Sequence, residues 1–331
     1  MNIKIRIKAF IAKILQKIWF NMNIYYKMLL IKKVLSPKTI VRLPIIKKRS
    51  VEFLDFIGDR WKYNTLIENL DEESIKTVNE ILLTIRKNIT SDVLEKKDII
   101  IKKTNEKKIG ENKKFIKKQG FKLPIDHYED SVFLQKHGLD YIPNYVQYTK
   151  WKVILDVWWF IWDSAIMFDR FTKPSKIYSF EPITENIHLM KKTIKINNLE
   201  NIIIPVEEWL WDKIEKQKID MSYNTSSIIW WKKWKEINMN TIDNFVEQNN
   251  IWTIWLIKRD IEWYELESIK WAEKTIKKDK PILLISIYHT GKDFFLIKPL
   301  LESRNLWYNF KIRKLSNETN YWMETMLLCY K

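Results

Sequence analysis

A Rossmann-like α/β fold is predicted for the second half of this chain, and three observations predict it. From about residue 150, short apolar runs alternate with helical patterns, the rhythm of βαβ units feeding a mostly parallel sheet. The first of these runs ends in an acidic residue, Asp156, which leads into a turn and then a helix start. The second ends in Glu181, at the spacing from that turn where an acidic side chain meets ribose hydroxyls.

The predicted strands cover 153–157, 177–180, 202–206, 254–258, 282–288 and 308–313, and the helices between them 163–172, 184–197, 263–278 and 292–304. Residues 209–240 interrupt the alternation with polar, Trp-rich sequence, read as a hairpin or loop insertion. Upstream, 48–105 carry a helical stripe that includes Leu66, Leu70, Val78, Ile81, Leu82 and Ile85. The run from 102 to 118 is Lys-rich and reads as a solvated linker. The expected organisation is a basic amphipathic segment over 1–45, a helical region with its linker over 46–120, and the α/β domain over 121–331, with helices on both faces of the sheet.

Composition bounds the partners. With 46% apolar residues among 331, the chain can bury a sizeable core. Its one cysteine, Cys329, excludes an internal disulfide and fits a reducing cytoplasm. No apolar run is long enough to cross a bilayer, and no secretion leader stands at the start. The net charge is +17, yet residues 1–50 alone hold 13 Lys and Arg and no acid. Ile3, Ile7, Phe10, Ile11 and Ile14 recur there at helical spacing among lysines. Residues 1–34 therefore suit peripheral binding to an anionic membrane surface at its inner face, or equally a helix packed on the protein with a solvated basic face. Nucleic acid is the weaker partner, because aromatic interleaving in the Lys-rich run is sparse.

Seventeen Trp stand against five Gly. Ordinary usage predicts roughly 23 Gly in a chain this long, close to the two counts taken together. The Trp positions are turn positions: Trp158, Trp159 and Trp162 follow a strand, Trp252 and Trp255 flank another, and Trp307 precedes a third. Turns favour Gly, which alone takes positive φ cheaply. Most of these Trp residues are accordingly read as Gly in the working protein, as when UGA encodes Gly but is translated as Trp. Trp19, Trp61 and Trp322 fit genuine Trp. The alternative is a Trp-rich protein that uses indoles for packing or interface anchoring.

With Gly at Trp158, Trp159 and Trp162, the segment after Asp156 becomes a glycine turn opening a helix at Asp163–Ser164, which lets backbone approach a nucleotide-like ligand. It is not the G-x-G-x-x-G of pyrophosphate binders. Taken literally, three indoles would fill the space a cofactor needs. Asp260 and Glu262, two residues apart at the end of the fourth strand, share a face and can orient a nucleophile, although acids before a helix also serve its N-terminus. His289 ends the fifth strand on the same edge and is a candidate base; a lone strand-end His is more often structural. Four scattered His and one Cys show no metal-ligand spacing, so no metal is expected.

These pieces resemble the FkbM family of methyltransferases. The resemblance lies in Ile154-Leu155-Asp156 with its turn, Tyr178-Ser179-Phe180-Glu181-Pro182, Glu185-Asn186, Asn197-Asn198-Leu199 and Leu210-Trp211-Asp212. It continues through Ile257-Lys258-Arg259-Asp260-Ile261-Glu262-Trp263, where the family has I-K-x-D-I-E-G, then Trp271-Ala272 and Glu324-Thr325. Val132-Phe133 and His137-Gly138-Leu139 are similar to its lead-in, so coverage runs roughly over 125–331. Trp stands at nearly every family glycine. The resemblance implies S-adenosylmethionine as cofactor, with Asp156 and the turn at Trp158, Trp159 and Trp162 around its amino-acid part, and with Ser164 and Asn186 also in the cofactor site. Glu181 is implied at its ribose and Asp212 beside its adenine. The expected reaction, on that resemblance, is O-methylation of a hydroxyl on a sugar, glycan or similar small acceptor. The other readings are an inactive Rossmann-like interaction protein at the membrane surface and a nucleic-acid methyltransferase; the latter lacks an N-P-P-Y-like motif.

The recoding reading has a direct check. Intact protein from the native host is expected to be lighter than the printed sequence by a whole multiple of the Trp–Gly mass difference. A mass equal to that of the printed sequence overturns it.

Overall fold

The computed structural model describes residues 53–57, 59–90, 110–157, 163–220, 234–261, 264–316 and 322–331. The basic segment over 1–45, Trp158, Trp159 and Trp162, and Glu262 lie outside the described residues. Ten strands are present among the described residues: β1 Val153–Val157, β2 Lys176–Phe180, β3 Ile203–Val206, β4 Trp209–Leu210, β5 Glu215–Asp220, β6 Trp234–Asn240, β7 Ile254–Arg259, β8 Ile282–Ser286, β9 Asn309–Lys314 and β10 Thr325–Tyr330. The helices include α1 Leu54–Ile57, α2 Arg60–Ile67, α3 Glu72–Thr90, α4 Asp130–Phe133, α5 Tyr145–Thr149, α6 Asp163–Thr172, α7 Thr184–Ile196, α8 Ile242–Gln248, α9 Glu265–Lys270, α10 Glu273–Asp279 and α11 Gly291–Glu302; residues 110–118 are helical as well, with Ile116 buried, so that part of the run read as a solvated linker packs on the domain.

Seven strands form one sheet in the order β3-β2-β1-β7-β8-β10-β9. Pairing is parallel from β3 through to β8, whereas β10 runs antiparallel to both β8 and β9. The chain leaves β1 for β2 on one side and leaves β7 for β8 on the other, so strand order reverses between β1 and β7. In open α/β sheets the crevice outside the carboxyl ends at such a point is where ligands bind.

Both faces of the sheet are apolar and covered, as a parallel sheet requires. On one face Ile154, Ile177, Leu256 and Leu284 meet Ala165, Met167 and Phe168 of α6, Ile187 and Met190 of α7, and Val132, Phe133 and Leu139 from the lead-in. On the other, Leu155, Val157, Ile257, Leu283 and Ile285 meet Phe245 of α8, Ile276 of α10 and Phe294 of α11. Gly138, at φ 87°, lies so close to β10 that a Cβ there would come within 2.8 Å of Leu328 Cδ2, so any side chain would be strained and would displace Leu328.

The helical stripe predicted upstream is broken into α1, α2 and α3. Val78, Ile81, Leu82 and Ile85 of α3 are buried at helical spacing in the core shared with the sheet. Its start is clamped to the outer strand. Arg313 on β9 donates to Asp71 Oδ1 at 3.0 Å and Oδ2 at 2.6 Å, and to Ser74 Oγ at 2.6 Å, while Ser74 Oγ also accepts the Ile312 N–H.

Two sequence expectations need correction. The helix expected over 263–278 is two helices, α9 and α10, separated at Trp271-Ala272. The strand expected to reach 288 stops at Ser286, and β10 was not anticipated, because its run of apolar residues lacks the alternation that announces a half-buried strand. The hairpin read for the interruption over 209–240 is present as β5 on β6, in a separate three-stranded sheet with β4.

Trp151 and Trp307 both adopt φ 61°, and their side chains are 72% and 81% exposed. A left-handed backbone costs a non-Gly residue about 1–2 kcal/mol, and these indoles recover little of that by burial. Trp322, by contrast, is 1% exposed within the core.

Trp151→Gly and Trp307→Gly are each expected to stabilise the fold by about 1 kcal/mol in denaturant titrations; a loss of stability in both would contradict the glycine reading of these sites. Asp71 gives a pH signature. Its hydrogen bonds from Arg313 hold the carboxyl well below the usual range, against burial, which acts the other way. A carboxyl depressed in the folded state contributes stability above its unfolded value of about 3.9 and loses that contribution on acidification. The stability gap between the protein and Asp71→Asn, on the order of 1 kcal/mol after solvent screening, should be full near neutrality and close as the pH falls below about 4.

Candidate active site

The carboxyl edge around the β1/β7 reversal gathers ionisable groups taken out of water. Asp156 and Lys258 stand opposite each other in register, on the same face of β1 and β7. Asp156 is 3% exposed and Lys258 0%. Lys258 Nζ lies 3.9 Å from Asp156 Oδ1, and Ser164 Oγ donates to Asp156 Oδ2 at 2.7 Å from the first turn of α6. Burial pushes the Asp156 carboxyl up, and the Lys258 charge and the Ser164 hydroxyl pull it partly back. Asp163, fully buried at the start of α6, is pushed well above the usual carboxylate range by burial, with Glu129 adding to the rise.

Glu181 follows β2 directly and is fully buried, its Oε1 accepting the Ile183 N–H at 2.8 Å. Asn186 is buried in the first turn of α7. Asp212 sits in the exposed turn between β4 and β5, after β3.

Past the end of β7, Asp260 faces His289 with Oδ1 3.4 Å from Nε2. The other ring nitrogen, Nδ1, is 2.7 Å from Glu265 Oε1, and Glu265 also accepts the Ile261 N–H at 3.1 Å. All three are buried. β7 ends at Arg259, so Asp260 lies just past the strand rather than on it, paired through space with His289, three residues beyond β8. Burial first, then Glu265, raises the Asp260 carboxyl, while Lys258 and His289 lower it. Next to this group, Thr290 caps α11 by accepting the Asp293 N–H at 3.1 Å, and Asp293, which accepts the Leu266 N–H, is pushed up to about 7 by burial and by Glu265. On the opposite face of β7 from Lys258, Arg259 is fully buried with no hydrogen bond to its three guanidinium nitrogens, and burial brings its pKa down to about 9.

The structure thus brings together Asp156 with Ser164 at one side of the reversal and Asp260 with His289 at the other. Sequence reading missed Lys258, Asp163, Glu265 and Asp293. Glu265 and Asp293 look like ordinary first-turn helix acids, and only burial distinguishes them. Lys258 could have been found, since a Lys inside an apolar strand opposite Asp156 needs a buried partner.

The profile of the Methyltransferase FkbM domain matches residues 144–321, more than half of the chain. The chain belongs to the FkbM methyltransferase family. A crystal structure of an FkbM methyltransferase from Methylobacillus flagellatus KT is similar over 83% of this chain at 18% identity and a TM-score of 0.54. The present chain spans 62% of the length of that protein. A putative caffeoyl-CoA O-methyltransferase from Staphylococcus aureus is similar over 77% of this chain and 99% of its own, at 12% identity and TM-score 0.40. A putative methyltransferase from Streptococcus mutans, solved in complex with SAH, matches 61% of this chain and 98% of its own at 9% identity and TM-score 0.37. No curated protein sequence matches the chain. The seven-stranded, mostly parallel sheet with helices on both faces is the fold of class I methyltransferases, which this FkbM chain shares. No helix among the described residues is long and apolar enough to cross a membrane.

A buried ion pair at the reversal has a measurable worth. Lys258→Met leaves the Asp156 carboxylate without its ammonium and is expected to lower unfolding stability by about 3 kcal/mol in urea titrations. Adding Asp156→Asn should recover part of that loss; simple additivity of the two losses would show that the groups do not interact.

Proposed function

We propose that this FkbM chain transfers a methyl group from S-adenosylmethionine to a hydroxyl oxygen of a sugar, glycan or similar small acceptor. The observation that carries the reading is the pair of buried carboxylates, Asp156 and Asp260, one at each side of the strand-order reversal. The side chains on the edge suit the cofactor. Asp156, fixed by Ser164, is a carboxylate for the cofactor's ammonium, and Glu181, locked by the Ile183 N–H, is one for the ribose diol. Asn186 lines the same edge from α7. The turn at Trp158, Trp159 and Trp162 is where backbone must approach the cofactor, and that approach needs Gly.

When bound, S-adenosylmethionine supplies an electrophilic methyl on a sulfonium. What the chain contributes is alignment of an oxygen with that methyl and exclusion of water from the line between them. Asp260 and His289, at the ends of adjacent strands, face the acceptor side of the edge, and Glu265 fixes the imidazole so that the two present one orientation to it. A hydroxyl acceptor suits this arrangement, because both groups can accept a proton from oxygen or hold it by hydrogen bonding.

The test is calorimetric titration of S-adenosylmethionine into the chain carrying Gly at the turn positions 158, 159 and 162. Binding is expected there and not with the three indoles in place, and Asp156→Asn and Glu181→Gln should each weaken it about tenfold or more. If the glycine-bearing chain binds no cofactor, the fold is an inactive relic and the proposal fails.

A further inference from the structure

Asp260, Glu265 and His289 come from three separate stretches, just after β7, at the start of α9 and after β8, and all three are buried. The two carboxylates take opposite sides of one ring. Glu265 Oε1 lies 2.7 Å from Nδ1, and Asp260 Oδ1 lies 3.4 Å from Nε2. Glu265 Oε1 also accepts the Ile261 N–H, so it is an acceptor and the proton of the shorter contact sits on Nδ1. A neutral imidazole then has only a lone pair to turn towards Asp260 Oδ1. Out of water, that second contact needs a proton of its own, carried either by Nε2 or by the Asp260 carboxyl.

The surrounding charges decide between the two. Lys258, 3.9 Å from Asp156, also acts on Asp260 and favours its ionised form. On the other side of the ring, Glu265 acts together with Asp243 on the buried Arg259 and favours its positive charge. A row of buried groups therefore runs from Lys258 through Asp260, His289 and Glu265 to Arg259. With a positive ring the signs alternate along the whole row. With a neutral ring, two buried carboxylates flank an uncharged group, and each then depends on one cation instead of two. Two further groups face the ring: Asp293 from α11, pushed up to about 7 by burial and by Glu265, and Tyr288, with ring centroids 4.2 Å apart. Neither of these can supply a positive charge.

We propose that His289 is an imidazolium, with Nδ1–H on Glu265 and Nε2–H towards Asp260, and that it positions Asp260 as the group that takes the acceptor's proton. An imidazolium has no free lone pair, so His289 is not itself that base. It is a positioning residue, holding Asp260 Oδ1 in one place and keeping that carboxylate charged. The task given to Asp260 rests on the methyltransferase reading; the charge on His289 does not.

The experiment is nitrogen-15 NMR of the full chain labelled only at its four histidines, with neither S-adenosylmethionine nor acceptor present. His127→Gln and His188→Gln assign the two exposed rings. Of the two buried rings, His137 is kept neutral by burial and by Lys258. His289 is expected to hold both ring protons up to at least about pH 8, where a free imidazole, titrating near 6.5, has lost one. Glu265→Gln keeps an acceptor and removes only the charge, so the second proton should leave about one pH unit lower or more. In His289→Gln the Asp260 carboxyl, read by carbon-13 NMR, should ionise about one pH unit higher or more. Far-UV circular dichroism checks that each variant folds; should they unfold, the unmodified chain still decides. Two neutral buried rings at pH 7, or a His289 ring protonated at Nδ1 alone, overturns the inference. So does a folded Glu265→Gln variant whose ring titrates as before, or an Asp260 carboxyl unmoved in folded His289→Gln. A neutral His289 in a glycine-bearing chain that binds S-adenosylmethionine sinks this inference alone. A charged His289 in a glycine-bearing chain that binds no cofactor sinks the methyltransferase reading alone.

Discussion

Lys258 is a full positive charge held out of water in the middle of the sheet, and the carboxyl edge is arranged around it. Its field pulls down the carboxyls of Asp156, Asp163 and Asp260 against the burial that raises them, and it helps burial keep His137 neutral. Four ionisable groups from β1, α6, the segment after β7 and the lead-in thus answer to one ammonium. An isolated buried charge would cost several kcal/mol, so the lysine and its carboxylates are tolerable only together. That mutual dependence fixes β1 against β7 at the point where the topology opens a crevice.

Much of the frame was legible because it follows from periodicity. The run ending at Asp156 is β1 as read, α6 spans the residues expected, and most strands differ by one or two positions at their ends. What escaped depends on contacts between distant residues. β10 is apolar throughout because both its faces are covered, so nothing in its own pattern distinguishes a strand from a buried helix. Glu265 is indistinguishable in sequence from any acid in a first helical turn, and its meaning comes from His289, 24 residues away.

The indoles divide according to surroundings. Trp151 and Trp307 occupy backbone conformations that penalise every side chain and stand mostly in water, whereas Trp322 is enclosed. Trp211 is intermediate, packed edge-on or tilted against Trp209, Tyr264 and Trp271 with ring centroids 4.0–5.4 Å apart. Three of those four rings are Trp, at or beside places where the family resemblance has small residues.

The clamp of Arg313 on Asp71 joins residues 242 positions apart. Contacts of such separation are slow to form, because a long loop must close before the contact returns any free energy. During synthesis α3 leaves the ribosome long before β9 exists, and its apolar side, from Val78 to Ile85, has no sheet to lie on until nearly the whole chain has followed. The nascent protein therefore carries an exposed apolar helix through most of its translation. That interval, rather than the finished fold, is where aggregation and chaperone binding should concentrate.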